Sequence, residues 1–318
     1  MVRTEESRRR LSYLLRIIAI AAAYYVAGRI GLSQQIVLSG ATVTPLWLPT
    51  GIAVSCLLWW GPRIWPGIVI GAFFIIQTIT SFSLNVDTIG IVAANTLAPM
   101  FAYVLLRSVG FHVELDRLRD GVALVFLGGL LPMLLSSTVG ACVLALSGSL
   151  LWHDFWPVWA AWWAGDAMGV LVGVPLLEVL RRVRLPWDMR RWPEAVALLA
   201  TALVFTPLAT RSTLALLFLV FPLLTWAALR FQLAGAAPCA LLVSVLAISA
   251  ATDHVGPFAN HTLFEVMVNL QALNGSAALT ALLLAAIVTE QKSVRLKIEQ
   301  AVRDLTEVVE HLMPHHED

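Results

Sequence analysis

The chain has 318 residues, 59% of them hydrophobic and 13% charged, with a formal net charge of +1. Soluble domains run at roughly 45–50% apolar and about 25% charged, so these proportions exclude a globular domain around one core and indicate a polytopic membrane protein. The near-neutral balance gives no bulk attraction to nucleic acid. The three cysteines, Cys56, Cys142 and Cys239, lie apart inside apolar runs with no C-x-x-C pair, and they read as packing residues.

Residues 1–12 form a basic N-terminal segment with no signal-peptide cleavage site after it. Residues 13–290 contain about ten apolar segments near the roughly 20 residues a bilayer needs. They fall at 13–31, 45–60, 64–80, 88–107, 121–147, 155–180, 193–210, 213–230, 234–251 and 263–289. The fold class is therefore all-α: a polytopic helix bundle followed by a short cytoplasmic helix. Arg8–Arg10, Arg63, Arg107, Arg117, Arg119, Arg181, Arg182, Arg184, Arg190, Arg191, Arg230 and the bases after Glu290 fall on one side of that alternation. The opposite loops hold Asp87, His153, Asp154, Asp253, His254 and His261, with Arg211 as their strong base. The positive-inside rule then predicts both termini in the cytoplasm of a multi-pass inner-membrane protein.

The loop 32–44, LSQQIVLSGATVT, is uncharged and reads either as a plain polar loop or as a segment folded back into the membrane as a lid. The second span opens TPLWLPTGIAV. Pro45, Pro49 and Gly51 prevent a regular helix start, and irregular backbone at membrane depth is tolerated only against protein or a water-filled cavity. Trp47, Pro49 and Thr50 are accordingly candidates to line an outward-facing pocket, with a simple helix kink as the other reading.

The sixth span, FWPVWAAWWAGDAMGVLVGVP, carries Asp166 well inside the apolar run. A charged Asp at the centre of a membrane helix costs roughly 2.5–3.5 kcal/mol on insertion scales. At about 100° per residue, Trp152, Trp156, Trp159, Trp163 and Asp166 share one face. Gly165, Gly169 and Gly173 lie beside it and, with Gly51, would admit a close neighbouring helix. Trp152 and Trp156 read as interfacial anchors. Trp159 and Trp163 lie deeper, where they either pack or face a cavity suited to a cationic or amphipathic molecule. Asp166, read as the single deeply buried carboxylate, is structural, lines a transport path, or gates a sensed ligand. Its candidate partners are Arg29 and, as a neutral group, Asn95.

No GxSxG elbow, HExxH or Walker loop occurs, so no catalytic residue, metal or cofactor is expected. In the tenth span Asn269, Gln271 and Asn274 read as buried amides tying that helix to the bundle. Residues 291–313 place Ile298, Leu305 and Leu312 at one heptad position and Val294, Ala301 and Val308 at the other. This reads as a cytoplasmic signalling helix, either solvated or a dimeric coiled coil, and 314–318 as a polar tail.

Three runs, WLPTGIAVSCLLWWGPRIWPGIVIGAFF, WWAGDAMGVLVGVPLL and NLQALNGSAALTALLLAAIVTEQK, together with FPLLTWAALRFQLAGA, resemble the first class of the bacterial membrane-associated sensor domains, the MASE group, over about 13–292. The family's pattern falls on Trp47, Pro49, Gly51, Gly61, Pro66, Gly71, Trp163, Gly165, Asp166, Gly169 and Pro175. The resemblance implies an input module, detecting a small ligand, an envelope signal or a membrane partner, that precedes kinase or cyclic-dinucleotide outputs. No kinase H-box, ATP-binding glycine box or GGDEF occurs here, so either the output lies beyond this sequence or this is a short stand-alone member. The expected partners are the lipid bilayer, an unidentified small ligand or membrane protein, a cytoplasmic output and a second copy of the chain. The alternative is a secondary transporter of a small solute, with cations among the candidates.

Overall fold

Without water to satisfy backbone N–H and C=O groups, an apolar run must close its hydrogen bonds internally, and this chain does so almost entirely as helices. The computed structural model describes residues 2–38, 41–79, 85–182, 191–214 and 216–312, with side chains over 7–37, 41–79, 85–182, 191–214 and 216–309. Arg184, Arg190 and the 314–318 tail lie outside the described residues, and Leu312 is described in its backbone only.

The helices are α1 (Val2–Leu32), α2 (Leu48–Trp60), α3 (Trp65–Ile79), α4 (Val86–Ser108), α5 (Leu118–Ala123), α6 (Leu131–Leu146), α7 (Phe155–Arg182), α8 (Trp192–Arg211), α9 (Val220–Phe231), α10 (Leu233–Thr252) and α11 (Leu263–Leu312). A wide π turn, Leu124–Leu130, joins α5 to α6, so Leu118–Leu146 is one span. Among the described residues eight helices are long and apolar enough to cross a membrane, and α2 and α9 are shorter apolar helices. Together they account for the ten apolar segments. At roughly 1.5 Å per residue α2 is shorter than the hydrocarbon layer. The non-helical residues 44–47 precede it.

α7 is the hub, packing against α2, α6, α10 and α11. Its most apolar stretch is 67% buried, against 28–50% in the other long spans, so α7 is the most enclosed of the eight. One core cluster runs from α2 and α4 through α6 and α7 to α11, and a second fills the space between α1, α2, α3 and α4. Large exposed apolar side chains such as Ile18, Phe74, Ile89, Val104, Phe126 and Leu203 clothe the outside. That is the surface a bilayer demands.

The segment 32–44 differs from a plain polar loop. It forms a small antiparallel hairpin of β1 (Ile36–Leu38) and β2 (Ala41–Val43), pairing Ile36 with Val43. Ile36, Ala41 and Val43 bury against Leu150, Val158, Ala161 and Met267, which seats the hairpin on α7 and α11. At the opposite end the basic residues lie on aromatic rings or carbonyls. Arg16 sits 5.8 Å over Trp60 and Arg181 sits 5.2 Å over Trp59, while Arg107 donates to the Leu58 carbonyl at 3.1 Å.

Candidate functional site

The small residues of α7 act at the level of the backbone. A Cβ on Gly165 would lie 2.2 Å from the Thr44 carbonyl oxygen, one on Gly169 1.9 Å from that of Trp47, and one on Gly51 2.1 Å from that of Gly169. No rotamer change relieves an overlap with backbone, so these positions admit glycine alone. The close approach lets the Trp47 N–H donate to the Gly165 carbonyl at 3.0 Å and carries Thr50 to Asp166.

Asp166 is 1% exposed. Its Oδ1 accepts from Thr50 Oγ1 at 2.8 Å and its Oδ2 from Ser136 Oγ at 2.7 Å, and the Trp162 indole lies within reach of the same carboxylate. Neutral donors on α2, α6 and α7 therefore hold the buried acid. Arg29 does not: its side chain is exposed on α1, turned away from the bundle. Arg211 pairs instead with Asp253 at 2.7 Å. Asn95, 6% exposed, is joined through Ser136, whose hydroxyl lies 3.2 Å from the Asn95 amide. Ser136 has one proton. With that proton given to Asp166, the contact to Asn95 is completed by turning the amide so that its NH₂ donates.

A cavity of about 370 Å³ opens beside this carboxylate. Trp47, Trp162, Val43, Ile76, Ile91 and Leu144 give it apolar walls, and Thr42, Thr44, Asn85, Asp87, Thr88, Asn95 and Ser149 give it polar groups. It lies beneath the hairpin, at the end away from the arginine belt. Tyr24, wholly buried beside Trp47, comes close enough to Asp166 to feel its charge.

The tryptophan stripe forms a ladder that turns elsewhere. Trp159 and Trp163 stack at 6.0 Å, but Trp159 donates to Thr138 Oγ1 at 3.0 Å and Trp163 to the Leu130 carbonyl at 2.8 Å. Neither lines the cavity. Leu130 is the last residue of the π turn. Trp162 takes the cavity position. It lies about 40° from Asp166 around the helix, where Trp163 lies about 60° away on the other side. Pro49 is buried in the first turn of α2, outside the cavity wall.

Asp166 is not the single deeply buried carboxylate. Glu178 is 3% and Asp120 2% exposed, both near the arginine belt. Glu178 accepts from Arg182 Nε at 2.7 Å and from the Trp59 indole at 3.3 Å, which ties the end of α7 to α2. Of the three amides in α11, Asn269 is exposed and Asn274 is fully buried with no partner among the described residues. Gln271 donates from Nε2 to the Pro45 carbonyl at 3.0 Å. The 44–47 stretch beside the cavity is thus bonded to α7 on one side and α11 on the other.

The MASE1 family model matches residues 16–292, which is most of the chain and the whole bundle around this cavity. The chain belongs to the MASE1 family. It is similar to a protein of Escherichia coli (strain K12) described as a probable diguanylate cyclase, DgcE, at 28% identity over 205 residues, covering 60% of this chain and 17% of that one. The MASE1 chain thus spans a minor part of that relative's length. No solved structure matches it. As a MASE1 protein it is an integral membrane sensory domain of signalling proteins. Several of the MASE1 pattern positions have one physical role here: Trp47, Pro49, Gly51, Gly165, Asp166 and Gly169 all sit where the start of α2 meets α7. Gly71 of the MASE1 pattern leaves room for Tyr24, whose Cβ would lie 2.7 Å from a Cβ at that position. Gly61 turns the α2–α3 junction at φ 79°.

Proposed function

We propose that this MASE1 bundle detects a small ligand or envelope signal in the cavity beside Asp166. It passes the response through α11 to a cytoplasmic output of kinase or cyclic-dinucleotide type, as a homodimer with both termini in the cytoplasm of an inner-membrane protein and with no catalytic step of its own. Asp166, Thr50, Asn95 and Trp47 form the responsive site, with Ser136 and Trp162. The observation that carries this reading is the Gln271–Pro45 hydrogen bond. It joins the cavity border to a helix that continues unbroken for 50 residues to Leu312. A ligand shifts such a bundle only by its differential affinity for two arrangements, and the 44–47 stretch is where the two would differ.

The test is disulfide crosslinking at Ile298→Cys in native membranes, compared with the same cysteine plus Gln271→Leu or Asp166→Asn. A changed crosslinking rate in both supports transmission from cavity to α11. Unchanged rates in both reject it. The transporter alternative draws on the short helices α2 and α9, which carry Pro49 and Pro222 near their starts. Solute uptake into proteoliposomes separates it from sensing.

A further inference from the structure

We propose that the cavity binds a small organic cation; this deepens the sensory reading and rests on the cavity being the sensor's ligand site. Among the described residues two carboxylates border it and no Lys, Arg or His does.

Both carboxylates are oriented. Asp166 is fixed by Thr50 and Ser136. Asp87, in the first turn of α4, accepts at Oδ2 from Ser147 Oγ and Ser149 Oγ, each at 2.9 Å. Its Oδ1 is buried and has no hydrogen-bond partner among the described residues. One carboxylate oxygen is therefore aligned by its neighbour's bonds and left without a donor among the described residues. A buried acceptor without a donor is costly, and an ammonium group would supply the donor.

Size and wall chemistry select an organic ion over a bare metal ion. About 370 Å³ is more than ten times the roughly 30 Å³ share of one water, and it falls in the range of small-molecule sites, about 300–1,000 Å³. No group of three or more His, Cys, Asp or Glu side chains suited to a metal occurs among the described residues. Trp47 and Trp162 present indoles to the interior, and indole faces attract alkylammonium groups.

The test does not depend on which organic cation is the natural one. The full chain, with Cys56, Cys142 and Cys239 replaced by alanine, is placed in lipid nanodiscs so that both faces are reachable. A cavity cysteine, Thr42→Cys, and an exposed reference, Thr213→Cys, are each reacted with a cationic trimethylammonium methanethiosulfonate and with its anionic sulfonate counterpart. The expected cation-to-anion rate ratio at position 42 exceeds that at 213 by roughly tenfold, and Asp87→Asn lowers it by about threefold. Choline or putrescine should slow the cationic reagent at position 42, where 1,4-butanediol does not. Equal ratios at the two positions, a preference for the anion, or a cysteine 42 that neither reagent reaches would overturn the proposal. If Asp87→Asn does not assemble, the comparison of 42 with 213 decides alone. None of these readouts involves signalling. Loss of the cation preference with intact coupling to α11 sinks only the ligand class, and the converse sinks only the sensory reading.

Discussion

A methyl group on Gly169 would lie 1.9 Å from the Trp47 carbonyl oxygen, whereas one on Gly275 would meet nothing within 4 Å. Gly169→Ala should therefore push α2 from α7 and lower the thermal unfolding temperature in detergent. Gly275→Ala should hold or raise it, by up to about 1 kcal/mol from helix propensity. Equal effects would mean that the α2–α7 approach carries little of the stability. At Asp166 the comparison is between alanine and asparagine. Asp166→Ala strands the hydroxyls of Thr50 and Ser136, at about 1–3 kcal/mol for each unsatisfied group. Asp166→Asn keeps an oxygen for one hydroxyl, and the other can rotate to accept from the new NH₂. Alanine should thus destabilise more, measured by the same unfolding assay, and the reverse order would contradict the hydrogen-bond assignment.

Among the elements, α11 makes the sharpest prediction. Val294, Ile298, Leu305 and Val308 are each at least 50% exposed although apolar, and Glu290 fastens the helix to the bundle by accepting from the Leu118 backbone N–H at 2.9 Å. An apolar stripe of 4–3 spacing, beside the further exposed Leu296, Val302 and Val309, is suited to a second copy of itself. Single cysteines along 291–309 should crosslink in native membranes with maxima at 294, 298, 301 and 305 and minima between them. A flat profile would leave the helix solvated. α2 and α9 also share a design: each is a short apolar helix that ends at a residue with positive φ, Gly61 at 79° and Gln232 at 54°. A longer helix follows each of them. In α2 that shortness has a use, since the non-helical stretch it leaves at 44–47 is the part bonded to both α7 and α11.

For the whole molecule, the arginine belt and the hairpin end fix the expected orientation. An impermeant thiol reagent applied to intact cells should label Thr213→Cys, while a cysteine at Leu296 should react only after permeabilisation. Labelling of both, or of Leu296→Cys alone, would invert or break the topology. The number of helical segments, their apolar outer faces and the special status of α7 were all legible in the amino-acid order. A bilayer leaves an apolar run of about 20 residues no structure but a helix, and a carboxylate in such a run has to be held. The glycines of α7 were legible as a close-packing face for the same local reason. Which groups would hold Asp166 was not. Arg29 has suitable charge and depth, yet it lies on the outer side of α1, and uncharged Thr50, Ser136 and Trp162 surround the carboxylate instead. Trp162 and Trp163 flank Asp166 on the helical wheel at similar angles, so periodicity could not separate the cavity wall from the packing ladder. The neighbour on each side separated them: the π turn took Trp163 and the open cavity took Trp162. Asp87, Ser147, Ser149 and Tyr24 meet the site from distant points in the chain, and Glu178 is held by Trp59 as well as by Arg182 of its own helix. Sequence alone determined the class, because solvent acts on each segment separately. Tertiary structure decided the site, because a cavity is defined by which faces of several helices meet.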